Sequence, residues 1–268
     1  MPTRTVALAA VLAIVAAAGC SRDYARDGAA APKTTVGATQ GGQPQYGARS
    51  GEGCQALPDA GKLKELLKGA PTQGEAGGMA GGRYSWAAVV DRSGKLCALA
   101  VSSDDPTATW PGSRGIAIAK ASTANGFSSD ATPLSTARLY TMAQPGHSLF
   151  GAAQGNPFNL ECAAPGGDLR TGVDKVCGGT IVFGGGLALY KGNTRLGGLG
   201  VSGDTSCTDH EIAKRVRDAA GLNPVKGGTV DDIMYSSVDG VSVYSHPLCL
   251  NTWRNGKKIG DELPASGY

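Results

Sequence analysis

Aromatic side chains and charges are both scarce in this chain, at 6% and 18% of its 268 residues, and the formal net charge is only +3. A typical globular chain is about 25% charged. So small a surplus gives no electrostatic case for a nucleic-acid partner. Histidine occurs three times, at His147, His210 and His246, and no two of these stand three or four residues apart. A metal site built on one helix face is therefore unsupported. No two cysteines have the C-x-x-C spacing of a zinc or redox motif. The apolar run near the N-terminus, Val6 to Ala18, is 13 residues long. A bilayer-spanning helix needs about 20.

Glycine and cysteine are abundant instead. There are 42 Gly and 7 Cys, and hydrophobic residues make up 41%. That apolar share supports a real core and excludes wholesale disorder. The glycines follow no strict three-residue period, so the chain is not collagenous. The cysteine count is odd, and the odd member needs its own explanation.

The first 20 residues supply one. Arg4 precedes the apolar run, which ends in Ala17-Ala18-Gly19-Cys20. This arrangement reads as a signal peptide and resembles a bacterial lipobox, whose Cys becomes the acylated first residue of the mature protein. Cys20 is thus expected to anchor the protein to a lipid bilayer, facing the periplasm or the exterior. Residues 21–53 hold no Leu, Ile, Met, Phe or Trp, and only one Val, Val36. Such a stretch cannot bury enough apolar surface to offset chain entropy, and reads as a disordered tether. The expected organisation is a signal peptide over 1–19, a tether over 20–53, and a domain with a C-terminal extension over 54–268.

Six cysteines remain: Cys54, Cys97, Cys162, Cys177, Cys207 and Cys249. In an exported chain they suggest three disulfides, for which fifteen connectivities exist. We expect Cys54–Cys97, Cys162–Cys177 and Cys207–Cys249. The second pair would close a Gly-rich loop, which a bridge stabilises by about 3 kcal/mol. The third would pin the C-terminal tail.

Pattern predicts the elements. Leu57 to Lys68, with Pro58 in its first turn and Leu63, Leu66 and Leu67 on one face, predicts a helix. Tyr84–Asp91 and Leu96–Val101 flank the turn at Gly94 as a hairpin. Small residues at helical spacing from Arg114 to Phe127 predict a second helix, one able to approach a sheet closely. Pro133 to Met142 predicts another. Residues 144–179 read as irregular, and the Cys162/Cys177 pair is their staple. A second hairpin covers Gly186–Tyr190 and Arg195–Ser202. Thr208 and Glu211 form a capping box, opening a helix that stops at Gly221. The tail 222–268 reads as irregular, with a strand at Val241–Tyr244. The order hairpin, helix, helix, hairpin, helix argues for an α+β fold.

Two motifs mislead. Gly198-Leu-Gly-Val-Ser-Gly203 satisfies G-x-G-x-x-G, but no parallel strand follows it as a dinucleotide site requires. Glycines that let a strand pack closely against a helix explain it better. Gly146-His-Ser-Leu-Phe150 approaches the G-x-S-x-G elbow of hydrolases, yet Phe150 stands where the turn demands Gly. With no clear nucleophile–base set, catalysis is not the expected role.

Two longer segments carry a resemblance. Ala117-Ile-Ala-Lys-Ala-Ser-Thr-Ala-Asn-Gly-Phe127 resembles the helix motif A-x-x-K-A-x-T-A-x-x-F of the GlcG/HbpS-like family, found also as the C-terminal domain of PduO proteins. Gly184-Gly-Gly-Leu-Ala-Leu-Tyr-Lys-Gly-Asn-Thr-Arg-Leu-Gly-Gly-Leu-Gly-Val-Ser-Gly203 resembles its Gly-rich hairpin. The resemblance spans about 84–221; the insert near 152–178 and the tail 222–268 exceed the minimal domain. It implies a profilin-like three-layer fold, a central antiparallel sheet with helices on its faces, often assembled as an oligomer. It also implies haem as the bound small molecule. A haem face needs apolar walls, a ligand to iron and basic groups for the propionates. We expect the Lys120 helix and the strand end Gly200–Gly203 as walls, and His147 or His210 as ligand. His210 falls in a helix's first turn, where the dipole disfavours imidazolium. The expected role is a cell-envelope haem-binding accessory protein, for scavenging, storage or sensing. A binding or carrier domain for another small organic ligand, or a purely structural partner-binding domain, are the alternatives.

Overall fold

The computed structural model describes residues 53–163, 168–228 and 230–263. The signal segment, Cys20 and the tether up to residue 52 lie outside the described residues. Among the described residues, no helix is long and apolar enough to cross a membrane.

The core is one antiparallel sheet of four strands, β1 (Trp86–Asp91), β2 (Leu96–Val101), β3 (Gly186–Lys191) and β4 (Thr194–Ser202), in the order β2-β1-β4-β3. Both hairpins form from short, near-continuous apolar runs, as befits strands buried on both faces. Side chains alternate across the sheet. Ala87, Val89, Leu187, Leu189, Leu199 and Val201 face one layer. That layer comprises helix α1 (Ala60–Gly69) and helix α3 (Ser206–Ala219), which contribute Leu63, Leu67, Ile212 and Val216. Ala88, Val90 and Leu99 face the other layer, formed by helix α2 (Ser113–Phe127) with Ala117, Ile118 and Ala121. The result is the expected three-layer α+β fold.

The glycines of β4 set the spacing of that second layer. A Cβ on Gly198 would sit 2.2 Å from the Ala121 carbonyl oxygen, and one on Gly200 would sit 2.0 Å from that of Ala117. No side chain fits there, so α2 lies directly on the strand backbone. The G-x-G-x-x-G run is thus a packing device.

The three disulfides join Cys54 to Cys97, Cys162 to Cys177 and Cys207 to Cys249. Among its described residues the Cys162–Cys177 insert has no α-helix or strand, but it is not loose. The buried Arg114 guanidinium donates to the carbonyls of Cys162, Asp168 and Thr171. Leu96 exchanges backbone hydrogen bonds with Asp174 and Lys175, so the insert covers the exposed edge of β2.

Several local expectations are corrected. The predicted helix over 133–142 is two short 3₁₀ turns, Thr136–Leu139 and Thr141–Ala143. The Thr136 hydroxyl accepts from Gly186 N–H and the Thr141 hydroxyl donates to the Ser245 carbonyl, tying the turns to other segments. The capping box at Thr208 and Glu211 does not form. Thr205 caps α3 by accepting from Thr208 N–H, and Glu211 pairs instead with Arg215 at 2.9 Å. Helix α1 starts at Ala60 rather than Leu57, because Asp59 caps it by accepting from Lys62 N–H. In the tail, Val241–Tyr244 is not a strand. Short strands form at β5 (Met234–Tyr235) and β6 (Ser245–His246), which pair in parallel, and at β7 (Thr252–Arg254) and β8 (Lys257–Gly260), which form a hairpin.

Candidate functional site

The first turn of α3 meets the middle of α2, the Gly-rich entry to β3 and the C-terminal extension. Buried ionisable groups converge there. Lys120 reaches from α2 and Asp209 from α3, with exposures of 0% and 2%. Lys120 Nζ donates to Asp209 Oδ2 at 2.8 Å and to the Val201 carbonyl at 2.9 Å. It also lies 5.0 Å from the centre of the Phe183 ring. The second oxygen of Asp209 accepts from Asp204 N–H at 2.9 Å. Burial pushes the Asp209 carboxyl up to about 6, with Lys120 acting in the opposite direction. Burial likewise pushes the Lys120 amine down, and Asp209 resists.

Close backbone approach makes this pair possible. Gly185 has φ +114°, and a Cβ there would lie 2.7 Å from Lys120 Nζ and 2.5 Å from the Val201 oxygen. A Cβ on Gly184 would lie 2.3 Å from the Ser206 oxygen. Glycine at these positions lets the chain wrap the ammonium and the start of α3.

His210 follows directly on α3 and is 1% exposed. Its Nε2 stands 3.3 Å from Asp232 Oδ1, close enough for an ion pair but misaligned for a hydrogen bond. Both ring nitrogens therefore lack a hydrogen-bond partner. Asp232 also pairs with Lys214 Nζ at 2.8 Å. Burial raises its carboxyl, but His210 and Lys214 together outweigh that and hold it well below the usual carboxylate range. Above them, the phenol oxygen of Tyr235 is buried without a partner and is pushed upward, mainly by burial and then by Asp232. His246 is buried beside the β3 entry. Its Nδ1 lies 2.7 Å from the Pro247 carbonyl, and its Nε2 is 3.4 Å from both Gly184 N–H and Ser206 Oγ. The ring packs on Tyr140 at 4.8 Å, and burial pushes the imidazole down to about 4.

Of the expected site residues, Lys120, Gly200 and His210 fall in this region, while His147 and Gly203 do not join it. His147 lies exposed in the irregular segment that precedes the insert. A Cβ on Gly203 would be 2.0 Å from the Tyr84 oxygen, so Gly203 packs against the segment entering β1. The expected walls are corrected. A Cβ on Gly200 would be 2.9 Å from Lys120 Cβ, so helix and strand are in contact and no macrocycle fits between them. Lys120 is also unsuited to a propionate, because Asp209 already neutralises it.

Asp209, Asp232, Lys214 and His246 were not singled out together from the sequence. Three of the four are acidic or basic residues in patterns common on solvated surfaces. Only their convergence where α3 meets the extension distinguishes them.

Three surface cavities lie elsewhere. One of about 300 Å³ runs along α2, lined by Ile116, Ala119, Phe158 and Ile181 with Asn156. One of about 590 Å³ is lined by Lys68, Glu75 and Arg83. One of about 380 Å³ lies beside Tyr190 and Lys226. None is lined by histidine.

Among curated proteins, none matches this chain. Solved structures that resemble it include the following. The Klebsiella pneumoniae protein ORFY, of family DUF336, is 22% identical with a TM-score of 0.42, covering 60% of this chain and 87% of that one. A PduOC–haem complex is 22% identical with a TM-score of 0.42, covering 61% and 92%. A double mutant of Streptomyces reticuli HbpS is 20% identical with a TM-score of 0.37, covering 64% and 93%. The model of one family, described as haem degrading protein HbpS-like, matches residues 73–218, and since that is more than half of the chain, the protein belongs to this family.

Proposed function

We propose that this chain binds haem as a lipid-anchored accessory protein of the bacterial cell envelope, with His210 as its ligand to iron. Family membership supports a haem-related role. The observation that carries the choice of residue is the His210 imidazole, buried with no aligned hydrogen bond at either ring nitrogen and only the Asp232 contact at Nε2. Buried polar groups in native proteins are almost always satisfied, so an orphan is a reason to look for a missing ligand. An imidazole nitrogen is a suitable donor to haem iron, and bound haem would supply an iron centre whose behaviour its axial ligand tunes. The donor chemistry fits. The space is closed by the C-terminal extension, so haem reaches His210 only when the segment carrying Asp232 and Tyr235 moves aside. Lipid anchoring through Cys20 rests on the lipobox-like sequence.

Haemin titration of the purified protein, read at the Soret band, tests this. We expect saturable one-to-one binding that His210→Ala abolishes and His147→Ala leaves in place. Loss with His147→Ala alone would move the ligand to the exposed turn. A second reading places a small apolar ligand in the cleft along α2, whose walls are Ile116, Phe158 and Ile181. Under it, Ile116→Glu removes binding and His210→Ala does not. For the anchor, Cys20→Ser is expected to shift the protein from membranes to the soluble fraction.

A further inference from the structure

The Cys207–Cys249 bridge has a third partner. One ligand atom from each of Cys207, His246 and Cys249 can be chosen so that all lie within 4.8 Å of one another. The three residues come from the first turn of α3, from β6 and from the loop before β7. They are 1%, 2% and 8% exposed.

The chemistry around them exceeds what a structural bridge needs. The Pro247 carbonyl can only accept, so His246 carries its proton on Nδ1 and donates it there at 2.7 Å. Nε2 keeps its lone pair, which accepts only a long hydrogen bond from Gly184 N–H at 3.4 Å and lies 3.4 Å from Ser206 Oγ. Such a locked tautomer is how metal-binding histidines are held. Cys249 Sγ accepts from the Cys207 backbone N–H at 3.2 Å and lies 3.3 Å from Ser206 Oγ. Cys207 is the second residue of a 14-residue helix, where the dipole favours a thiolate. Among the described residues a second cluster of this type, Cys54, Asp91 and Cys97, differs. There Asp91 Oδ1 already accepts from Ser93 N–H, the Ser93 hydroxyl and Lys95 N–H, closing its own turn.

We propose that Cys207, His246 and Cys249 form a redox-gated Zn²⁺ site, closed as the disulfide and opened by reduction with a dithiol. Two electrons and two protons pass from the dithiol to the bridge, the S–S bond breaks, and the reductant leaves as its own disulfide. Both thiols then release their protons to solvent as two Zn–S bonds form. The Nε2 lone pair makes the third bond, and the Ser206 hydroxyl or a water completes a tetrahedron. Around an ion at 2.3 Å the sulfurs stand about 3.8 Å apart. The Cα atoms of the pair, 5.9 Å apart, allow that separation by side-chain rotation. The residues are distant in sequence, which is why no spacing motif reveals them. This site does not depend on the haem reading and is tested without haem.

The full chain, reduced with a dithiol that is then removed anaerobically, is titrated with Co²⁺ and back-titrated with Zn²⁺. We expect one equivalent bound, with the sulfur-to-cobalt charge-transfer band and the intense visible bands of a tetrahedral site, and displacement by Zn²⁺. The oxidised chain should show no such bands. His246→Ala should weaken binding at least tenfold, since losing even a group that only orients a ligand typically costs about 10- to 100-fold. Cys207→Ser with Cys249→Ser should remove the charge-transfer band. Bands that persist in that double variant, or that are unchanged in His246→Ala, overturn the proposal by assigning the metal to other thiols. Reduction opens all three bridges and could unfold the chain. Cys207→Asp therefore provides a site that needs no reductant, with the other two bridges intact. Failure of both the reduced protein and Cys207→Asp to bind Zn²⁺ stoichiometrically also overturns it.

Discussion

Lys120 and Asp209 are in direct contact at 2.8 Å and buried, so each compensates the charge of the other. Removing one partner of a buried pair leaves an uncompensated charge and typically costs about 3–5 kcal/mol. Lys120→Met should destabilise the fold by that order in urea denaturation, and Asp209→Leu added to it should restore most of the loss. A double variant no more stable than the single one would mean that Lys120 acts through its packing on Phe183 instead. Glycines offer a sharper contrast, because the same substitution has opposite signs at two positions. At Gly200 an added methyl would meet helix backbone at 2.0 Å, and neither α2 nor β4 can yield without losing its neighbours. Overpacking of that kind costs about 1–3 kcal/mol or more. Gly126, near the end of α2, has open space around its position. Gly126→Ala should therefore stabilise by about 0.5–1 kcal/mol, the helix penalty of glycine relative to alanine. Thermal melts of the two variants read these signs directly.

Among the elements, the extension beyond α3 depends most on charge. Arg254 on β7 pairs with Asp239 at 2.7 Å, and Arg217 with Asp231 at 2.8 Å. The hydrogen bond from Arg254 holds the Asp239 carboxyl below its ordinary 3.8. A carboxyl depressed in the folded state stabilises above its unfolded value, and that contribution is lost as pH falls through the folded value. The extension should hence loosen as pH falls below 3.8, exposing it to an acid-active protease. Arg254→Ala should blunt that pH dependence, and an unchanged cleavage profile in the variant would discount this ion pair.

The same extension marks the limit of what was legible at this scale. Both hairpins and α2 were readable because short apolar runs flanking a Gly turn, and small residues at helical spacing, reflect burial within one layered core. The stretch 133–142 has helical composition, yet Thr136 and Thr141 bond to Gly186 and Ser245, distant partners that no local pattern encodes. The capping of α3 shifted for a similar reason. Thr205 and Thr208 are both competent caps, and Glu211 is drawn to Arg215 and to Asn255 N–H on the extension.

At the scale of the whole molecule, layers and bridges were legible and the site only in part. Lys120 and His210 lie in segments with recognisable pattern, and both reach the convergence point. Asp232 and His246 lie in a tail rich in Gly, Ser and Asp, whose fold is written in ion pairs and one disulfide rather than in periodicity. That tail covers His210, and the covering has a kinetic consequence. If haem enters only after the extension moves, the observed association rate should rise with haemin concentration and then level off at the rate of opening. Removing the covalent tie between α3 and the extension should raise that plateau. Replacing both cysteines, Cys207→Ala with Cys249→Ala, does this without leaving a free thiol to bind iron. The Asp232–His210 and Lys214–Asp232 contacts remain in the variant, so its plateau should rise rather than vanish. Stopped-flow mixing at the Soret band measures both proteins. Rates linear in haemin and equal in the two would mean that the iron ligand is reached without moving the extension, which points to the exposed His147.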